Sequence, residues 1–284
     1  MSDKIIAGVD FSGASKAPND TWMAIGHLSG WQFQIIEIHK VGSHRLSIEL
    51  NEREFGAVGI DCPFSLPIEF IDFLAQRIPS KDFDSWQALA EHLVFLSFDD
   101  FMAAVTEFKK EPKRITDKSV GAPAVSPLHR GNPSMVQMTY HGIRMLAMLD
   151  PQKFAVLPFQ DTAPRKCNLL EVYPRALLHV LELPETGYKS NAKTDDASLK
   201  VRRQILAGLV NLRDRKQISM KDLIRLSLTK TVESQVLSSD HALDAAIACY
   251  TTALYVTAPQ LFGDPYASDN EDVLIEGWIY SLKK

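Results

Sequence analysis

Two short apolar runs that each end at an aspartate constrain the fold of this chain more than any other feature. Ile5–Val9 precedes Asp10, and Ala57–Ile60 precedes Asp61. Each run has the length of a buried strand, and a turn-like segment follows each aspartate. Ligands of open α/β sheets bind beyond the carboxyl ends of the strands. If the two runs are neighbouring parallel strands, their carboxylates therefore meet at one edge of a sheet.

The remaining periodicity predicts a mixed α/β fold. Trp22–His27, Phe33–His39 and Asn168–Tyr173 have the residue types and lengths of strands. Helical spacing runs from Ile68 to about Phe108. Further helices are predicted at Arg45–Glu54, Tyr140–Leu149, Arg175–Leu181, Ser198–Leu212, Lys221–Leu228 and Asp240–Val256. We interpret residues 1–284 as a single domain with a mainly helical insertion at about 68–160.

Composition excludes several classes of protein. The chain has 284 residues with 45% hydrophobic and 23% charged side chains, which is typical of a globular protein with a sizeable core. No apolar run reaches the roughly 20 residues that span a bilayer, so no membrane partner is expected. The N-terminus lacks a signal-peptide pattern. The three cysteines are widely spaced and form neither a zinc pattern nor a disulfide framework, which predicts a cytoplasmic location.

The net charge of the chain limits how it could bind nucleic acid. A formal net charge of −4 argues against binding nucleic acid by charge alone. Two segments rich in lysine and arginine, Lys109–Lys118 and Lys189–Lys216, could still line a local basic groove. The alternative is that both are solvated helix faces. No phosphate-binding loop, dinucleotide-binding fingerprint or serine-hydrolase elbow is present, and no histidine pair has metal-binding spacing.

The acidic residues predict a metal site. Two carboxylates at one sheet edge repel each other unless they share a proton or hold a cation, and carboxylate oxygens suit Mg²⁺ or Mn²⁺. Asp240 and Asp244 share a face of the strongest predicted helix, and Asp244 lies among closely packing alanines. Glu171 interrupts an apolar strand. The alternatives are a turn or cap role for the strand-end aspartates, a helix-dipole role for Asp240 and solvent exposure for Glu171.

An ordered set of short motifs covers nearly the whole chain. Its segments are Gly8–Gly13, Gly59–Phe64 with Leu66–Pro67, Arg114–Asp117, Gly121–Pro123, Ser126–Leu128, Gly142–Arg144, Glu171–Pro174, Asp240–Ala246 and Glu276–Ile279. In order and spacing this set resembles domain-of-unknown-function family 429, whose members are predicted nucleases with an RNase H-like fold.

The resemblance implies an RNase H-like, five-stranded mixed sheet with flanking helices. In that fold the first and fourth strands carry acids and a C-terminal helix carries another. Mapped onto this chain, the implied acids are Asp10, Asp61 and Asp244, with Glu171 or Asp240 as a fourth member. We predict Asp10, Asp61, Asp244 and Glu171 as catalytic residues. We predict Asp10, Asp61, Asp244 and Asp240 as ligands of Mg²⁺ or Mn²⁺.

Two arginines at family positions are predicted to bind substrate. The planar guanidinium of Arg114 or Arg144 could grip a phosphate. The alternative for Arg114 is a buried ion pair with Asp117 that braces the segment Lys110–Pro133.

These residues favour a metal-dependent nuclease or phosphodiesterase in which two ions clamp the attacking water and the leaving oxygen. The expected partner is nucleic acid or a small phosphodiester, and the oligomeric state stays open. One alternative is a phosphotransferase of the sugar-kinase and actin-like class, for which a second copy of the core is missing. The other is a non-catalytic binding protein on the same fold.

Overall fold

The computed structural model describes residues 3–13, 21–78, 82–189, 195–212 and 223–283, which contain seven strands and eleven α-helices. The strands are β1 (Lys4–Asp10), β2 (Trp22–Ser29), β3 (Gln32–Lys40), β4 (Ala57–Asp61), β5 (Phe154–Val156), β6 (Cys167–Glu171) and β7 (Arg225–Leu228). The helices are α1 (Ser43–Glu52), α2 (Ile68–Gln76), α3 (Trp86–Phe95), α4 (Phe98–Phe108), α5 (Ile115–Ser119), α6 (Pro133–Ala147), α7 (Pro174–Val180), α8 (Asp196–Val210), α9 (Lys230–Ser238), α10 (Asp240–Thr257) and α11 (Val273–Glu276).

All seven strands belong to one sheet in the order β5-β6-β4-β1-β2-β3-β7. The first three strands form an antiparallel meander, and the other neighbouring pairs are parallel. The mixed α/β class predicted from the sequence is confirmed. The sheet has seven strands where five were expected, because β5 and β7 extend its two edges.

The segment at β7 corrects one prediction. Residues 221–228 were expected to be helical, but Arg225–Leu228 pairs with the edge of β3 as a parallel strand. Leu226 is buried while Arg225 and Ser227 are exposed, which is the alternation of a strand rather than helical spacing. Residues 221 and 222 lie outside the described residues. So do residues 190–194 and 213–216 of the predicted basic segment.

Helix α10 packs against the middle of the sheet. Two glycines on the central strands allow this close approach. A Cβ atom at Gly8 would lie 1.9 Å from the backbone nitrogen of Cys249, and one at Gly59 would lie 2.0 Å from Oγ1 of Thr252. Because α10 is rich in alanine and leucine and is buried over most of its length, it forms the centre of one core, together with α7, α8 and α9.

The opposite face of the sheet carries a second core. Apolar side chains of α1, α2, α3, α4 and α6 pack there against the strands. Four of these helices fall within the predicted helical insertion at 68–160, which also contributes the strand β5. Among the described residues, no helix combines the length and apolar character that crossing a membrane requires.

Candidate functional site at the carboxyl ends of strands β1 and β4

Asp10 and Asp61 are the last residues of two neighbouring parallel strands, and they occupy paired positions in the register. Side chains alternate between the two faces of a strand, so each aspartate points to the same face as the residue two positions before it. Those residues are Gly8 and Gly59, whose missing side chains face α10. Both carboxylates therefore lie on the α10 side of the sheet.

Asp244 comes to this edge from the second turn of α10. Its side chain is 2% exposed, and its two carboxylate oxygens have different partners. The hydroxyl of Tyr188 donates to Oδ1 at 2.9 Å, and the ammonium of Lys189 lies 2.8 Å from Oδ2. Burial and these contacts fix the Asp244 carboxylate in one orientation.

A cavity of about 370 Å³ opens above these residues. Asp61 and Asp244 lie in its wall, and Tyr188 and Lys189 approach from the segment that links α7 to α8. Arg175 also lines the cavity, where its Nε donates to Glu185 at 3.0 Å. Asp61, Asp244 and two cationic side chains thus share one concave surface.

The first turn of α10 contacts the aspartate at the end of β1. Nδ1 of His241 lies 2.7 Å from Oδ2 of Asp10, and this contact ties the helix start to the end of β1. Asp240 lies in the same first turn, one helical turn before Asp244. A carboxylate is favourable at this position because of the helix dipole. The structure records no contact of Asp240 with the other three aspartates.

Burial and like charges govern the protonation of the cluster. Burial, together with the negative charges of Asp10 and Asp244, raises the pKa of Asp61 well above its usual range. Burial also raises the pKa of Asp244 to about 6, although Lys189 and the Tyr188 hydroxyl partly offset this effect. These carboxylates are ionised only at a cost in free energy, which a cation in the cavity would relieve.

Glu171, predicted as catalytic, is not brought to this cluster. It pairs with Ile60 in the sheet register, and Ile60 faces the second core on the opposite side from α10. Its carboxylate accepts the backbone N–H of Phe64 at 2.9 Å and two hydrogen bonds from Arg114 at 2.8 and 2.5 Å. A catalytic role for Glu171 stays a prediction, and its contacts are those of a structural residue.

Arg114, predicted to bind substrate, is buried with 1% of its side chain exposed. Besides Glu171, it contacts Asp117 through Nε at 3.2 Å and Nη2 at 2.9 Å, and Nη1 donates to the carbonyl of Glu276. These contacts match the alternative of a buried pair that braces the segment after α4. They place the guanidinium away from solvent, where it has no access to a phosphate.

Arg144 belongs to the helical layer on the face opposite α10. Its Nη1 donates to the hydroxyl of Tyr140 at 2.6 Å, and its Nη2 donates to the carbonyl of Val94 at 2.9 Å. The guanidinium also lies over the Tyr140 ring, 5.0 Å from its centroid. The structure therefore does not bring Arg144 together with the aspartates.

Three residues at the site were missed from the sequence: Tyr188, Lys189 and His241. Tyr188 and Lys189 lie in an irregular segment, where no periodicity indicates which way a side chain points. His241 directly follows Asp240 at the helix start, and its proximity to β1 depends on how α10 packs. One indication of a role for Lys189 was present in the sequence, because it is the first residue of the predicted basic segment Lys189–Lys216.

By their chemistry, the oxygens of Asp10 and Asp61 are of the kind that holds a hard divalent cation. Within the described ranges, Oδ1 of Asp10 and both carboxylate oxygens of Asp61 accept no hydrogen bond. Asp61 lines the cavity, and Asp10 occupies the paired position on the neighbouring strand. Carboxylate oxygens are the preferred ligands of Mg²⁺ and Mn²⁺.

A different group of possible metal ligands lies on the other face of the sheet, and its atoms are closer together than those of the three aspartates, which do not all lie within 4.8 Å of one another in the described part of the chain. Glu37, His39 and Glu49 place their ligand atoms within 4.8 Å of one another. Arg53 already supplies a positive charge there, through hydrogen bonds to Glu37 at 2.8 and 3.2 Å. His39 lies 2.7 Å from Glu49. We interpret this group as an ion-pair network that joins β3 to α1.

Comparison with known proteins supports the family assignment. The family model described as "Protein of unknown function (DUF429)" matches residues 137–261, a range that contains Tyr188, Lys189, His241 and Asp244. Neither the curated proteins nor the solved structures gave a significant match. Over residues 137–261 the chain thus matches the family that the resemblance of its motifs predicted.

Proposed function

We propose that this protein is a divalent-metal-dependent phosphodiesterase or nuclease, with its site at Asp10, Asp61 and Asp244. The observation that carries the proposal is that Asp61 and Asp244 line one cavity while Asp10, on the neighbouring strand, is paired with Asp61 and adds to the negative charge around it. Strongly perturbed carboxylates in a cleft are typical of functional sites. A structural role explains them poorly, because the burial of Asp61 and Asp244 disfavours their charge.

The topology supports an RNase H-like arrangement as part of the same proposal. The five strands β3, β2, β1, β4 and β6 lie side by side, with an antiparallel meander followed by parallel strands. We propose that these five are the RNase H-like core and that β5 and β7 are additions at its edges. The acids then lie on the first and fourth strands and on the helix that packs across them.

Asp10 and Asp61 are the residues that would hold the ion, through the oxygens that accept no hydrogen bond within the described part of the chain. A bound Mg²⁺ or Mn²⁺ supplies Lewis-acid stabilisation of a phosphoryl oxygen and lowers the pKa of water. His241 orients the carboxylate of Asp10, and Tyr188 orients that of Asp244. Such supporting contacts commonly tune metal sites.

The substrate class follows from the size and charge of the cavity. A volume of about 370 Å³ accommodates a small phosphodiester or one end of a single strand. The net charge of −4 provides no broad basic surface for a duplex. The cations of Lys189 and Arg175 are placed to attract one phosphate group. We therefore favour a small phosphodiester or a single-stranded end as the substrate.

Hydrolysis assays test the proposal. The probes are bis(p-nitrophenyl) phosphate and fluorescent single-stranded DNA and RNA, each with Mn²⁺ or with EDTA. Asp10→Asn, Asp61→Asn and Asp244→Asn should each reduce the rate by at least about 100-fold, since loss of supporting residues alone costs 10–100-fold. Asp99→Asn, at an exposed position in the first turn of α4, is the matched control and should leave the rate unchanged.

Folding is verified for each variant by circular dichroism before rates are compared. Metal-dependent hydrolysis that persists at full rate in all three folded variants would refute the proposed site. Asp240→Asn tests the predicted fourth ligand, and weaker Mn²⁺ binding in that variant would support it. Thermal stabilisation by Mg-ATP, but not by Mg²⁺ alone, would instead favour the phosphotransferase alternative.

A further inference from the structure

We infer that the ammonium group of Lys189 acts as the second cation of the site, so that the chain binds one divalent ion rather than two. The inference rests on the proposed function and deepens it. It replaces the two-ion arrangement expected from the sequence with one ion and one fixed positive charge from the protein itself.

The first argument is the occupancy of Asp244. Its Oδ2 lies 2.8 Å from the Lys189 ammonium, and its Oδ1 accepts the Tyr188 hydroxyl at 2.9 Å. Both oxygens are therefore engaged by adjacent residues of one segment. A divalent ion that used Asp244 as a ligand would have to displace one of these contacts.

The second argument is the position of the remaining ligand atoms. Oδ2 of Asp10 is engaged by His241 at 2.7 Å. Among the oxygens of these three aspartates, those without a hydrogen bond in the described part of the chain are Oδ1 of Asp10 and both oxygens of Asp61. They belong to the paired ends of β1 and β4. This leaves one set of ligand atoms at the strand ends and a separate cation at Asp244.

The third argument is charge balance. The three carboxylates carry three negative charges, and one divalent ion together with the Lys189 ammonium carries three positive charges. A second divalent ion would leave an excess of two positive charges in a partly buried site. Uncompensated charge in such surroundings is unfavourable. Charge balance thus favours one ion at the strand ends.

The chemical character of lysine suits this role. An ammonium is a compact point charge that binds phosphate oxygens without fixed directionality. The side chain of Lys189 is 62% exposed although its ammonium is paired with Asp244, so it reaches the buried carboxylate from the cavity side. From there it is positioned to contact one phosphate oxygen of a substrate while the ion contacts another.

Mn²⁺ titration calorimetry on the full chain tests the inference, with electron paramagnetic resonance as an independent count of bound Mn²⁺. Wild type and Lys189→Arg should bind one ion per chain, because both retain the positive charge. Lys189→Met should bind two ions, because methionine has a similar length to lysine but carries no charge and leaves Oδ2 of Asp244 free. Lys200→Met, at an exposed lysine of α8, is the matched control and should bind one ion.

The outcomes separate this inference from the proposed function. Two ions bound by wild type would overturn the inference but leave the metal site intact. A single ion bound more tightly by Lys189→Met would also overturn it, because Lys189 would then be a competitor for one shared position. No Mn²⁺ bound by any of these folded proteins would overturn both. Loss of binding in Asp61→Asn confirms that the counted ion lies at the strand ends.

Discussion

At the scale of single residues, Asp244 shows the conflict between folding and function most directly. Its carboxylate lies in a helix face otherwise made of alanine and leucine, and burial raises its pKa to about 6. Tyr188 and Lys189 stabilise the ionised form only in part. A residue that served folding alone would be apolar or neutral here. This cost of ionisation is consistent with a site at which a bound cation neutralises the negative charge of Asp244.

Asp244→Asn should therefore stabilise the metal-free protein near neutral pH. The folded pKa lies above the unfolded value of 3.8, so the stabilising contribution of Asp244 is present below about pH 4 and is lost as the pH rises through 6. Asparagine cannot ionise and can still accept the Tyr188 hydroxyl. In EDTA at pH 7.5 we expect a Tm a few degrees above that of wild type, and no difference near pH 4.

Differential scanning fluorimetry across this pH range checks the prediction, with Asp99→Asn as the exposed control. A Tm for Asp244→Asn below that of wild type at pH 7.5 would mean that Lys189 and Tyr188 more than compensate for burial. The ion pair would then contribute net stability to the fold.

At the scale of secondary-structure elements, the distance between α10 and the sheet decides whether a site exists. Gly8 and Gly59 let the helix approach the central strands so closely that any side chain at these positions would overlap it. Because the helix carries Asp244 and His241, the approach brings both residues to the strand-end aspartates. The glycines thus belong to the site through packing rather than through contact with a ligand.

Gly8→Ala should destabilise the protein and weaken metal binding together. The new Cβ atom would lie 1.9 Å from the backbone of Cys249, so strand β1 and helix α10 must move apart. Overpacking of this kind typically costs 1–3 kcal/mol, which corresponds to a loss of about 2–12 °C in Tm for a chain of this size. Thermal melts and Mn²⁺ calorimetry measure the two effects.

Gly56→Ala is the matched control, since its Cβ atom would meet only the flexible side chain of Lys4, at 3.2 Å. It should shift Tm by at most a degree or two and leave Mn²⁺ affinity unchanged. Equal destabilisation by the two substitutions would show that loss of glycine, rather than contact with α10, is responsible.

At the scale of the whole molecule, one sheet separates two cores. The core that contains α10 supports the aspartate cluster, and the core on the other face contains the helices between β4 and β5. The buried network of Arg114, Asp117 and Glu171 connects the segment after α4 to the end of β6. Because both cores share the same strands, neither keeps its packing surface if the sheet unfolds.

The chain should accordingly unfold as one cooperative unit, as the single-domain interpretation requires. Far-ultraviolet circular dichroism and tryptophan fluorescence should give the same denaturant midpoint, with Trp86 reporting on the helical layer and Trp22 on the sheet. Two separated transitions would instead show that the layer at about 68–160 is an independent folding unit.

Local sequence determined the elements that carry the acids. Short apolar runs before Asp10 and Asp61 specify strands that end there, and the alanine-rich periodicity around Asp244 specifies a long helix. These patterns depend on neighbours within a few residues, so they can be recognised in the chain itself. The family motifs added the expectation that these elements meet.

Tertiary structure alone decided which side chains share a face. Glu171 ends a strand much as Asp61 does, yet its register with Ile60 turns it toward the opposite core, where Arg114 binds it. Lys189 reaches Asp244 across fifty-five positions of sequence from a segment without periodicity. Side-chain direction follows from strand pairing and helix packing, which are long-range interactions that no local pattern encodes. The sequence therefore determined where the acids lie along the chain, and the packing of α10 on the sheet decided which of them form a site.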